Sequence, residues 1–202
     1  MTRQPMLDAV QQHIYDQFSR EGTGHDYFHI ERVVRNARRI TAAEAGADVF
    51  LVELAAWLHD VGDHKLNDGV DRSEEQITAL LQQLNATPEL IARVIAIVSQ
   101  VSFSKGKKAE SLEAKIVQDA DRLDALGAIG LARVFAYGGS RNREIWNPGD
   151  PEHTSIQHFY DKLLLLKDMM HTPSAKTIAA GRHQYLEDFL KRFYDEWDGQ
   201  DA

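Results

Sequence analysis

The sequence predicts an all-α protein, and three observations carry that expectation. Apolar residues recur at three- and four-residue spacing along nearly the whole chain, no segment alternates apolar and polar residues as a half-buried strand would, and the breaks between periodic runs carry capping residues. The pattern opens with a helix over 7–18. A second, over 25–45, sets Ile30, Val33, Val34, Ala37 and Ile40 on one face with His29 at its head. The third, over 50–61, carries Leu51, Ala55 and Leu58 on a face that continues into His59, and Gly62 supplies the left-handed position that commonly ends a helix. Ser73 and Gln76 have the spacing of a capping box for 74–84, and Thr87-Pro88 starts 88–101. Ile116, Val117, Ala120 and Leu123 form the stripe of 112–123, and 126–137 follows. Asp150-Pro151 and Thr172-Pro173 start the last two helices, 151–170 and 175–197.

A chain of 202 residues fits one domain, 1–202, with 138–150 as its longest loop. Residues 151–202 are then long C-terminal helices packing on the core. Leu163 to Leu166 and the stripe Phe189, Leu190, Phe193, Tyr194 and Trp197 read as core, with a subunit interface as the alternative. No repeat or low-complexity tract is present. A net charge of -8 argues against an extended nucleic-acid surface, which would normally be basic. The absence of cysteine excludes a disulfide framework and closed thiolate zinc sites. The N-terminus has no signal-like apolar core and no run approaches a membrane span, so a cytoplasmic protein is expected.

Four residues stand out chemically. His29, the pair His59-Asp60, and Asp121 each fall where the helix pattern turns them inward. His59-Asp60 is a helix-terminal dyad, and a helix C-terminus favours a cation close by. Asp121 lies among apolar neighbours, and a buried aspartate is costly unless paired or metal-bound. Two imidazoles and two carboxylates suit Mn²⁺ first, with Mg²⁺, Fe²⁺, Co²⁺, Ni²⁺ or Zn²⁺ as alternatives. Four protein ligands around a six-coordinate ion leave positions open, which marks a catalytic rather than a structural metal. His25-Asp26-x-x-His29 imitates a zinc-protease helix, but Asp replaces the general-base Glu. The acidic string from Asp119 is no calcium loop, because Asp124 stands where Gly is required and Gly130 where Glu is required.

Taken in order, His29-Ile30-Glu31-Arg32-Val33, Leu58-His59-Asp60 and Asp119-Ala120-Asp121-Arg122-Leu123 resemble the HD superfamily of metal-dependent phosphohydrolases, whose signature is H…HD…D. The resemblance spans residues 24–137 as the HD metal-binding core of a helical bundle. It implies His29, His59, Asp60 and Asp121 as metal ligands, with Asp119 the rival for the last place. The stretch 116–133 together with His158 to Leu164 resembles stand-alone bacterial HD proteins. That likeness implies hydrolysis of nucleotides, including release of pyrophosphate from (deoxy)nucleoside triphosphates, and admits a homo-oligomer. For acid-base work it points to Asp63, with His64 as a further candidate, while Asp124, one helical turn from Asp121, could orient a ligand. Phosphate anchors are expected at Lys105, Lys108 and Arg122; Arg122 has the alternative of pairing with Asp119 or Glu113. His25 and Asp26 cap the helix or line the cleft. Two other outcomes stay open: a non-catalytic nucleotide- or metal-sensing module, and oxygenase chemistry at a pair of irons.

Overall fold

The computed structural model describes residues 2–19, 26–63, 69–101 and 109–201, and among them the chain is helical with no strand. Two compact units result, Met1–Asp121 and Arg122–Ala202.

The first unit contains α1 (Arg3–Phe18), α2 (Tyr27–Ala43), α3 (Val49–Leu58), α4 (Ser73–Gln83), α5 (Pro88–Val98) and most of α6 (Leu112–Asp124). From Leu51 to Leu58 every residue of α3 is buried. A helix apolar all round has no solvent face and must be enclosed, and α1, α2 and α5 all pack against it while α4 packs on α5. Val10 and Ile14 of α1 and Ile30, Val33 and Ile40 of α2 are fully buried. Glu53 is the charged exception within α3. The Arg38 guanidinium of α2 pairs with it, and that hydrogen bond holds Arg38 above its ordinary pKa. A buried carboxylate needs such a partner, because an unpaired charge would be strongly destabilising.

Side-chain caps set several boundaries. Asp26 accepts the His29 backbone N–H at 2.7 Å, so α2 begins after the cap and not at residue 25. Asp48 and Thr87 do the same for α3 and α5, each at 3.3 Å. Ser73 does not act as the expected cap. It is the first residue of α4, and its hydroxyl donates to Asp71 Oδ1 at 2.6 Å. α5 stops at Val98, three residues short of expectation, because Ser99 turns its hydroxyl back onto the Ala96 carbonyl and the chain tightens into turns.

The second unit contains α7 (Gly127–Ser140), α8 (Gln157–Asp161) and α9 (Pro173–Trp197), with 3-10 turns at Pro151–His153 and Leu163–Met169. The single helix expected over 151–170 is therefore broken. Thr154 is extended (φ -100°, ψ 164°), which frees the Ser155 and Ile156 N–H groups to donate to the Glu144 and Ile145 carbonyls at 2.8 and 3.1 Å. Lys162 (φ -141°, ψ -57°) makes the second break. The loop expected from 138 starts later, since Gly138, Gly139 and Ser140 complete α7. A side chain at Gly138 would collide with Ser155, so this glycine serves close approach rather than a bend. Asp150 is not a side-chain cap; it accepts from His153 Nδ1 at 2.8 Å. Thr172 does cap α9 through Ala175 N–H. α9 packs on α7 and on the Leu163–Met169 turn. Its aromatic stripe continues inward as Phe189 stacks on Phe159 at 5.7 Å, while Trp197 at the far end is about half exposed.

Burial pushes His158 below its ordinary value of 6.5, and the positive charges of Lys162 and Arg143 push the same way. The folded state thus resists protonation where the unfolded chain accepts it, so stability is held above about pH 6.5 and lost as pH falls below it. Urea denaturation of His158→Gln and parent protein at pH 7 and pH 5 should show a smaller acid loss in the variant. An equal loss in both would assign the acid sensitivity elsewhere. No described helix is long and apolar enough to cross a membrane.

Candidate metal centre

Three segments of the first unit bring the ligand candidates together. His29 sits in the first turn of α2, where the Asp26 cap fixes the start of the helix. His59 is the C-cap of α3, and Asp60 follows it; Asp121 lies in the last turn of α6. His29, His59 and Asp60 are nearly inaccessible, at 1%, 5% and 5% exposure, whereas the Asp121 side chain is 28% exposed. The cluster therefore opens to solvent along one carboxylate.

The hydrogen-bond geometry identifies which atoms are offered. His59 Nδ1 lies 2.8 Å from the Ala56 carbonyl, which can only accept, so this nitrogen carries the proton and Nε2 is left with its lone pair. His29 Nε2 stands 3.4 Å from that atom, 3.4 Å from Asp60 Oδ2 and 3.5 Å from Asp121 Oδ1. One N–H could satisfy only one of these acceptors, and all three distances exceed the usual 2.7–3.2 Å of a hydrogen bond. The polar atoms instead face a shared centre. His29 Nε2, His59 Nε2 and Asp121 Oδ1 form a triangle with sides of 3.4, 3.5 and 3.8 Å, whose circumscribed radius is about 2.1 Å, the length of a bond from a first-row divalent ion to imidazole. Asp60 Oδ2 adds a fourth donor, 3.5 Å from His59 Nε2. Two carboxylates beside two neutral imidazoles carry a charge of about -2, which a divalent cation offsets. Size, donor type and charge all fit such an ion.

The remaining expected residues fall in several places. Asp63 is buried at 3% exposure, its N–H donating to the Asp60 carbonyl at 3.2 Å. Asp119 is fully buried. Within the second unit, Asp124 is ion-paired with Arg133 at 2.9 Å, and Arg122 donates to the Met169 carbonyl and lies 3.2 Å from His171 Nε2. Arg122 thus has structural partners in Met169 and His171. His25, His64, Lys105 and Lys108 lie outside the described residues. Sequence reasoning passed over Asn36, buried at 8% exposure with its Nδ2 donating to the Ala120 carbonyl at 3.2 Å. The available signal was a polar side chain beside the apolar stripe of α2. No sequence signal marks the Ala56 carbonyl, because any residue supplies one.

Comparison with known proteins agrees with this geometry. The HD domain pattern matches residues 26–126, half of the chain, and so takes in all four ligand candidates. The chain belongs to the HD-domain family. This HD protein is 41% identical over 186 residues to protein YpgQ of Bacillus subtilis strain 168, covering 90% of this chain and 89% of that one. A solved HD-superfamily hydrolase from Bacillus thuringiensis superposes with a TM-score of 0.83 at 40% identity, covering 98% of this HD protein and all of the other. The structure of Bacillus subtilis YpgQ in complex with ADP superposes with a TM-score of 0.82 at 35% identity, covering 96% and 100%.

Proposed function

We propose that this chain is a divalent-metal-dependent phosphohydrolase acting on nucleotides, with (deoxy)nucleoside triphosphates cut to monophosphate and pyrophosphate as the leading reaction. The observation that carries the reading is the convergence of two imidazole nitrogens and two carboxylates on one centre that opens to solvent along Asp121. His29, His59, Asp60 and Asp121 would hold the ion. When bound, such an ion lowers the pKa of water and offsets charge on phosphate oxygens. The ADP held by YpgQ supports a nucleotide as the ligand class.

The chain's own groups supply the rest of the chemistry. Ala56, through its carbonyl, keeps the His59 ring in the tautomer that turns a lone pair toward the ion. Asp63 follows the HD pair by one tight turn and is kept from bulk water. In this reading it takes the proton from the attacking water or returns one to the leaving oxygen. Asp124, locked to Arg133, steadies the end of α6, and His64 is the second acid-base choice. Lys105 and Lys108 would offset phosphate charge, with His25 as a further substrate contact. Arg122, held through Nη1 by Met169 and His171, would offer its remaining N–H groups to phosphate.

The test is metal-stripped protein incubated with Mn²⁺ and a panel of nucleoside mono-, di- and triphosphates, products resolved by chromatography. Metal-dependent release of pyrophosphate or phosphate, lost in Asp60→Ala and Asp121→Ala, is the expected result. Silence across the panel despite tight Mn²⁺ binding would overturn it in favour of a sensing module.

A further inference from the structure

We propose that Asn36 is a positioning residue that sets the distance between the His29 and Asp121 ligands, and so tunes the affinity of the site for its ion. The inference rests on the reading of those residues as metal ligands.

Asn36 is a poor local choice where it stands. Asparagine in a helix interior is less favourable than alanine, and a buried amide without partners costs more. Yet it is buried between Val34 and Ala37, whose side chains are 1% and 0% exposed, so its reason is tertiary. Asn36 lies two turns beyond His29, and seven residues at about 100° each return to nearly the same face of the helix. The side of α2 that presents the His29 imidazole thus also presents this amide. Its Nδ2 donates to the carbonyl of Ala120, the residue immediately before Asp121.

One hydrogen bond therefore joins the helix of one ligand to the backbone adjoining another. On the same N-terminal side of Asp121, Gln118 Nε2 donates to the Gln100 carbonyl at 2.6 Å. Two side-chain amides, those of Asn36 and Gln118, thus tie the residues just before Asp121 to neighbouring segments where apolar contacts alone would let α6 slide along its axis. A shift of a few tenths of an ångström in α6 would move Asp121 Oδ1 from its 3.5 Å separation from His29 Nε2. Groups that orient a metal ligand without touching the metal typically change affinity by about 10–100-fold when removed.

The experiment measures Mn²⁺ affinity of metal-stripped parent, Asn36→Ala, Asn36→Leu and Thr41→Ala by electron paramagnetic resonance, with the visible spectrum of each Co²⁺ derivative and the melting temperature of each apo form. Asn36→Leu keeps the side-chain bulk and improves the helix, so it holds the fold while removing the donor. Thr41 is the control, a buried hydroxyl elsewhere on α2 that bonds its own helix at Ala37. Both Asn36 variants are expected to bind Mn²⁺ about tenfold more weakly with altered Co²⁺ bands, whereas Thr41→Ala leaves affinity within about twofold. Parent-like affinity and spectra in the Asn36 variants would overturn the proposal, as would equal weakening in Thr41→Ala. Absence of Mn²⁺ binding by the parent would instead overturn the metal reading itself, and this inference with it.

Discussion

Asp60→Ala is expected to abolish metal-dependent hydrolysis, by on the order of a thousandfold or more, without unfolding the protein. Losing a charged ligand removes several kcal/mol of ion binding, and each 1.4 kcal/mol is a factor of ten. Stability should move the other way in the apo form. Asp60 and Asp121 both approach His29 Nε2, at 3.4 and 3.5 Å, and without a cation their like charges repel. Removing one relieves that repulsion, so the melting temperature of the metal-free variant is expected to equal or exceed that of the parent. Adding Mn²⁺ should stabilise the parent by about 2.7 kcal/mol at a hundred times its dissociation constant, and leave the variant unchanged. Melting curves with and without Mn²⁺, run beside the activity assay, check both halves. Strong Mn²⁺ stabilisation of Asp60→Ala would remove this residue from the ligand set.

Gly62→Ala is the second large effect, and it acts through the backbone. Gly62 adopts φ +70°, and a Cβ there would stand 2.6 Å from the Arg72 carbonyl carbon and 2.7 Å from both the Arg72 oxygen and the Ser73 nitrogen. These are main-chain atoms that cannot rotate away. They are also tied to the glycine, because Arg72 N–H donates to the Gly62 carbonyl at 2.8 Å. Left-handed backbone costs an alanine roughly 1–2 kcal/mol, and the overlap adds more, for a total of about 3 kcal/mol or above. Gly46→Ala is the natural comparison. Gly46 is left-handed too, at φ +94°, but its Cβ would meet nothing within 4 Å, so only the conformational cost remains. Urea denaturation of the two variants should separate them by about 2 kcal/mol. If both lose the same amount, the packing against Arg72 is not what requires a glycine. Mn²⁺ affinity should also fall in Gly62→Ala, since Asp60 and Asp63 flank the strained turn.

Much of the fold was legible because most of its helices bury a single stripe. The stripe of α2 (Ile30, Val33, Val34, Ala37, Ile40) is buried as the spacing predicts, and Asp26, Thr87 and Thr172 act as caps. What failed did so for tertiary reasons. Periodicity runs unbroken through 151–170, but the extended Thr154 lets the following residues bond to Glu144 and Ile145, a partner that no local pattern announces. Gly138 and Gly139 read as loop because glycine is a poor helix former; the proximity of Ser155 to Gly138 is invisible from composition. At the site, His29, His59-Asp60 and Asp121 stood out through ligand chemistry and family order. Asn36 and the Ala56 carbonyl did not, since their significance lies in what they face.

The enclosure of α3 has a consequence for how the protein breathes. Its residues from Leu51 to Leu58 are shielded on every side, so its central amides should be among the slowest of the first unit to exchange with deuterium, opening only when that unit unfolds. His59 and Asp60 stand at the end of this slowest-opening helix, while Asp121 approaches from α6 and is more open to water. Thermal fluctuation of the empty site should then be one-sided, with two donors stationary and the exposed carboxylate swinging. Under the proposed function, an ion would arrive and leave past that carboxylate while its landing place stays fixed.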